Sequence, residues 1–151
     1  MNLIIMCGIP ASGKSTVAKL FNSNIVSTDS IRKELFGDEN IQGNGVEVFS
    51  LAYSRIRNYL SLGENVVFDA TNIRKRDRKT VVDIGKEYKC DNIIICYCSI
   101  PLEIALERNA NRERKVPVPV IKRMFTNFEE PSYAEGVNYI CIFWNFKKFL
   151  L

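Results

Sequence analysis

Five short apolar runs, at 3–7, 25–27, 66–68, 93–98 and 137–143, punctuate the chain. Between them lie longer stretches in which apolar residues return every three or four positions, the period of a helix face. The short runs are nearly continuous in Val and Ile instead of alternating with polar residues, which predicts strands buried on both faces, as in a parallel sheet covered by helices. The longer stretches predict helices over 14–22, 30–36, 45–61, 73–88, 101–113 and 119–128. This β-α-β-α rhythm predicts an α/β fold of three layers, with a parallel sheet of about five strands and helices on both faces. The most loop-like segment is 37–45, with three Gly, two Asn and two acids, and Pro117 with Pro119 marks a second break.

Length and composition narrow the class. A chain of 151 residues with 46% hydrophobic and 25% charged positions suits one folded domain spanning 1–151. The first apolar run stops at Gly8 and has no basic flank, so we expect neither a signal peptide nor a membrane span, hence a cytoplasmic protein with no membrane partner. Five cysteines, at 7, 90, 96, 98 and 141, form no Cys-x-x-Cys pair, and the chain has no histidine to complete a zinc site. They read as reduced, buried thiols, with Cys96 and Cys98 on one face of a strand. The lack of histidine also excludes Ser-His and Cys-His nucleophile pairs, leaving a carboxylate, a lysine or metal-bound water as base near neutral pH. A net charge of +4 permits an anionic partner without demanding one.

Directly after the first predicted strand stands Gly8-Ile9-Pro10-Ala11-Ser12-Gly13-Lys14-Ser15-Thr16, which satisfies G-x-x-x-x-G-K-[ST] at the start of a helix. The glycines let backbone N–H groups curl around a polyphosphate, and the helix terminus adds partial positive charge. Lys14 is suited to the β- and γ-phosphates, and Ser15 to Mg²⁺. Gly8, Pro10, Ala11, Ser12, Gly13, Lys14, Ser15 and Thr16 are therefore the candidate nucleotide-binding residues, with ATP and Mg²⁺ as the expected cofactors.

Two carboxylates follow later strands. Asp29, in Ser27-Thr28-Asp29-Ser30-Ile31-Arg32, is expected at a strand's carboxyl end, facing the same crevice as a candidate base. Arg32 stands three residues on, to orient a hydroxyl beside a phosphate, although Asp29 or Ser30 also suits a helix N-cap. Asp69, in Asp69-Ala70-Thr71-Asn72, is placed to order Mg²⁺ or its waters, or else to buttress Arg32, while Thr71 or Asn72 is suited to cap the next helix. That helix opens with Arg74, Lys75, Arg76, Arg78 and Lys79, where cations oppose the helix dipole; an anion such as a phosphate backbone would relieve them, and a solvated charged face is the plainer alternative. Further on, Arg108 and Arg112 stand one helical turn apart before the prolines, either covering the transferring phosphoryl group or pairing with Glu103 and Glu107 on an exposed helix.

Taken together, the 8–16 loop, Asp29-x-x-Arg32, Asp69-x-Thr71-Asn72 and Arg108-x-x-x-Arg112 resemble the 5′-hydroxyl polynucleotide kinase family of P-loop phosphotransferases, over residues 3 to about 143. The resemblance implies a three-layer P-loop kinase fold with a helical lid over approximately 106–120. It implies that Lys14 and Ser15 bind ATP phosphates and magnesium. Asp29 is implied as general base toward the 5′-hydroxyl of DNA or RNA, Arg32 as the grip on the acceptor's 3′-phosphate, Arg108 and Arg112 as lid residues, and Asp69 as a further essential acid supporting the acceptor site. Ala11 replaces a frequent glycine and is expected to matter little, because the loop needs backbone there. The Ser-Thr-Asp-x-x-Arg segment is also similar to the acceptor segment of nucleoside monophosphate kinases, but Asp-Ala-Thr-Asn and Gly-Lys-Ser-Thr depart from their pattern. The alternatives are a P-loop kinase for a nucleoside, sugar or antibiotic hydroxyl and, from another class, a non-catalytic nucleotide-dependent module.

Overall fold

The computed structural model describes residues 1–40 and 45–145. The strands are β1 (Asn2–Cys7), β2 (Asn24–Ser27), β3 (Val66–Asp69), β4 (Asn92–Ser99) and β5 (Tyr139–Trp144). The helices are α1 (Lys14–Leu20), α2 (Thr28–Phe36), α3 (Gly45–Ser61), α4 (Lys75–Glu87), α5 (Leu102–Ala110) and α6 (Val118–Thr126), with a 3₁₀ turn at Tyr133–Glu135 that the apolar pattern does not signal. The strands form one sheet in the order β2-β3-β1-β4-β5, and each neighbouring pair is parallel.

The two-residue period of the strands sorts the core into two layers. Leu3, Ile5 and Cys7 of β1, with Val66, Phe68, Ile93 and Ile95, face the buried stripes of α3 (Val48, Ala52, Ile56, Leu60) and α4 (Val81, Val82, Ile84). The intervening Ile4, Met6, Val67, Cys96 and Cys98 face Val17 and Ala18 of α1. A third cluster, Ile9, Ile100, Ala105 and Ile121, packs α5 and α6 together beside the loop that follows β1. No described helix is long and apolar enough to cross a membrane.

Several expectations need correction. α2 begins at Thr28, where Ser27 Oγ accepts from the Ser30 amide (3.3 Å), so Ser27 is the cap and Asp29 sits in the first helical turn. α5 ends at Ala110 rather than 113, so Arg112 lies beyond it and is not one turn above Arg108 on a continuous helix. α4 begins at Lys75, and neither Thr71 nor Asn72 caps it: Asn72 adopts a left-handed conformation (φ 46°) and its Nδ2 donates to the Met6 carbonyl at 2.7 Å. Cys7, Cys96 and Cys98 are buried free thiols as expected, but Cys90 is half-buried and Cys141 exposed on the edge strand. Part of the 37–45 loop, residues 41–44, lies outside the described residues, as does the tail beyond Asn145.

Arg78 is the largest departure. It is fully buried, not part of a basic surface, because its guanidinium ties three segments together. Nε donates to Glu135 Oε1 at 2.7 Å, Nη1 to the Asn72 carbonyl at 2.7 Å, and Nη2 to the Glu129 carbonyl at 2.9 Å and to Glu135 Oε2 at 3.2 Å. Its place was signalled by spacing, since it stands three, four and seven residues before Val81, Val82 and Gly85 on the buried face of α4. Removing one partner of a buried pair strands the other's charge, so Arg78→Ala should cost about 3–5 kcal/mol in denaturant unfolding. Retention of wild-type stability would show that Glu135 finds another partner.

The thiols give a second prediction. Burial pushes the Cys7 thiol up to about 12 against the pull of Arg78, and Cys98 up to about 11 against that of Lys14. Cys96 is raised as well, again chiefly by burial. A thiol reagent at pH 8 should therefore label Cys141 fast, Cys90 slowly, and Cys7, Cys96 and Cys98 only after unfolding, as read by mass spectrometry over time.

Candidate active site

The parallel sheet delivers the carboxyl ends of β1, β2 and β3 to one edge, where a cleft of about 650 Å³ opens. The loop after β1 forms its floor. The Gly8 amide donates to the Thr71 carbonyl at 2.9 Å, which joins this loop to the segment following β3. A side chain at Gly8 would put a Cβ 2.7 Å from the Cys98 carbonyl, so the turn admits only glycine. Gly13 takes the left-handed cap position of α1 (φ 95°) with no side chain capping the helix. Ala11 also has positive φ, 65°, so this residue is not neutral as expected: the conformation costs a non-glycine residue roughly 1–2 kcal/mol.

Lys14 folds back so that Nζ donates to the Ile9 carbonyl at 3.0 Å. Burial draws its pKa below the ordinary lysine value, with Asp69 opposing, so an incoming polyphosphate would strengthen the charged form. Ser15 Oγ donates to Asp69 Oδ2 at 2.8 Å, and Asp69 is buried at the end of β3. A hydroxyl and a carboxylate held this way, beside a phosphate-binding loop, are hard oxygen donors fitted to Mg²⁺ and its waters. Of the two roles left open for Asp69, its contact is with Ser15.

On the opposite wall, Asp29 and Arg32 form the expected pair, Arg32 Nη1 to Asp29 Oδ1 at 3.2 Å. A third residue joins them. Arg114 places Nη1 2.7 Å from Asp29 Oδ2 and Nη2 3.1 Å from Oδ1, a two-pronged guanidinium–carboxylate contact. Arg108 and Arg112 both line the cleft, but neither pairs with Glu103 or Glu107 in the contacts described. Arg108 Nη2 donates to Asn145 Oδ1 at 3.0 Å, and Arg112 Nη2 to Asn109 Oδ1 at 3.1 Å. Burial, then repulsion from Arg114, lowers the pKa of Arg112 below the ordinary arginine value.

Arg114 and Asn109 are site residues that spacing alone misses. Asn109 is buried; its Nδ2 donates to the Val116 carbonyl at 2.8 Å and its Oδ1 accepts from the Val116 amide at 2.9 Å. These bonds close the chain between α5 and α6 into a tied loop, so the 106–120 segment is helix, loop and helix instead of one continuous helix. The available signal is that Asn109, four residues after Ala105, is polar on the buried face of α5.

Lys14, Arg32, Arg108, Arg112 and Arg114 line the cleft against Asp29 and Asp69, a clear excess of positive charge. The Nε atoms of Arg32 and Arg112 are buried with no hydrogen-bond partner among the described residues. Unpaired buried donors and surplus cations together fit polyanionic ligands.

The family profile described as AAA domain matches residues 3–131. The L-seryl-tRNA(Sec) kinase of Methanococcus maripaludis is 34% identical over 140 residues, an alignment covering 86% of this chain and 53% of that protein. A chain in the structure of the Pnkp1/Rnl/Hen1 RNA repair complex superposes with a TM-score of 0.72 at 26% identity, covering 83% of this chain and 43% of that one. Kti12 of Chaetomium thermophilum, solved with ADP-AlF3, superposes with a TM-score of 0.73 at 17% identity, covering 94% and 88%, which is a likeness of fold. The chain spans about half the length of the curated relatives it matches, 53% in each of two cases.

The Ser15–Asp69 contact generates a metal prediction. Asp69→Asn should raise the Mg²⁺ concentration for half-maximal nucleotide binding by about tenfold or more, as loss of a group orienting a metal or its ligands does. A titration with unchanged Mg²⁺ dependence would limit Asp69 to holding Ser15.

Proposed function

The chain belongs to the AAA domain family, and from that premise we propose that it is an ATP-dependent phosphotransferase moving the γ-phosphate of ATP to a hydroxyl of a nucleic-acid substrate, the 5′-hydroxyl of DNA or RNA. The observation that carries this reading is the placement of a carboxylate between two arginines across the cleft from the phosphate loop. A phosphate acceptor needs no base, whereas a hydroxyl acceptor does, and the chain has no histidine to serve. The raised Cys7 and Cys98 thiols beside the loop are protonated near neutral pH and unsuited to covalent catalysis.

In this reading the loop amides and Lys14 bind and orient the β- and γ-phosphates, with Ser15 and, through water, Asp69 as the metal-holding residues. Mg²⁺ supplies neutralisation of the phosphate charge. Asp29 takes the hydroxyl proton while the acceptor oxygen forms its bond to the γ-phosphorus in line with the breaking bond to the β-γ bridging oxygen; ADP leaves and Asp29 returns the proton to solvent. Arg112 and Arg108 offset the charge spread over the transferring group, and Arg32 grips a phosphate neighbouring the accepting hydroxyl. The pairing of this acceptor wall with the 26% identical RNA repair chain supports a polynucleotide end.

A second reading has its own support. The 34% identity to a seryl-tRNA kinase favours a hydroxyl carried on an aminoacylated tRNA, phosphorylated by the same groups. The two separate in one assay, the transfer of label from γ-labelled ATP to a 5′-hydroxyl oligonucleotide and, in parallel, to seryl-tRNA. Labelling of the oligonucleotide supports the first reading; labelling of the seryl group alone replaces it with the second.

Lys14→Ala should abolish labelling of either acceptor. Asp29→Asn should lower kcat by about 10²–10⁴-fold, the usual contribution of a general base, while ATP affinity stays within about twofold. Wild-type turnover by the Asp29→Asn protein would remove Asp29 from the mechanism.

A further inference from the structure

Asp29 is held more tightly than a base should be. Its Oδ2 accepts from Arg114 Nη1 at 2.7 Å, and its Oδ1 from both Arg114 Nη2 at 3.1 Å and Arg32 Nη1 at 3.2 Å. Charge-assisted bonds of this kind occupy the lone pairs that would receive a proton. Arg114 is moreover half-buried on the tied loop that Asn109 closes, with Nε 3.3 Å from Asn40 Oδ1 and 3.5 Å from Glu39 Oε1. It therefore spans from the lid segment to the acceptor wall.

From this geometry we infer that Arg114 is a latch on Asp29, released when the acceptor carries a phosphate beside its hydroxyl, so that it acts as a specificity-determining residue for phosphorylated acceptors. The inference rests on the reading of Asp29 as general base. Two guanidiniums share one carboxylate here, and Arg32 Nε remains buried and unpaired among the described residues, so the wall carries more donors than Asp29 can satisfy. A phosphate, with more charge and more acceptor oxygens than a carboxylate, competes for both arginines. Once Arg114 moves onto it, Asp29 Oδ2 is free to accept the hydroxyl proton. A neutral acceptor or a water molecule offers no such competitor and meets an occupied base, which discriminates against both by an energetic obstacle to the wrong substrate.

The test compares wild type with Arg114→Ala and Arg114→Lys on a nucleoside 3′-monophosphate, the corresponding nucleoside, and ATP hydrolysis without acceptor. For Arg114→Ala the KM for the 3′-monophosphate should rise about tenfold or more, the effect of losing a hydrogen bond to a charged group, while the KM for ATP is unchanged. Phosphorylation of the nucleoside and acceptor-free hydrolysis should both increase. Arg114→Lys, which keeps the charge but loses the fork, should fall between the two on each measure. Equal losses on both acceptors, or an unchanged ratio, would overturn the latch. Should the wild type phosphorylate neither acceptor, the 5′-hydroxyl reading fails, and calorimetric binding of the 3′-monophosphate still decides the role of Arg114. Tenfold weaker binding by Arg114→Ala at an unchanged unfolding temperature keeps it as the phosphate ligand; equal binding rejects it.

Discussion

An all-parallel sheet needs every connection to cross over on a face, which brings the carboxyl ends of all its strands to the same edge. In this chain that edge holds Gly8 after β1, Asp29 in the first turn after β2, and Asp69 at the end of β3. These residues are remote in sequence, yet the pairing of Ser27 with Asp69 and of Ile5 with Phe68 leaves no alternative arrangement of the three. Strand register, set by the burial of alternate residues on two helical layers, is therefore what assembles the cleft.

Packing at that edge is organised around charge. Arg78 satisfies carbonyls of Asn72 and Glu129 and pairs with Glu135, so the segment after β3 and the approach to β5 are held from inside the protein. The same segment accepts the Gly8 amide through Thr71, which links the buried guanidinium to the phosphate loop by a short chain of hydrogen bonds. The arginines of the cleft contrast with it. Arg78 has its full set of acceptors, whereas Arg32 and Arg112 each keep a buried Nε without one among the described residues, and desolvation makes such donors receptive to an anion.

The segment joining α5 to α6 shows how one side chain changes a larger element. Asn109 bonds both backbone groups of Val116, and the helix ends one residue later at Ala110. The chain then crosses the cleft as a loop, carrying Arg112 against Asn109 and Arg114 across to Asp29. Two walls of the cleft are consequently joined through a single short segment, by the bond from Arg114 to Asp29.

Much was legible before folding. The Val- and Ile-rich runs specified buried parallel strands because only residues covered on both faces dispense with alternation, and the 8–16 loop announced a phosphate site because its glycines and lysine have few other joint uses. Asp29 with Arg32 was visible because the pair is local, three residues apart on one helical turn. What local spacing could not reveal were contacts closed by the tertiary fold. Ser15 meets Asp69 across 54 residues, Arg78 meets Glu135 across 57, and Arg114 meets Asp29 across 85. A one-dimensional pattern records the period of an element and the chemistry of each side chain; which distant charge answers which is decided only when the sheet, by its register and crossovers, brings them to one edge.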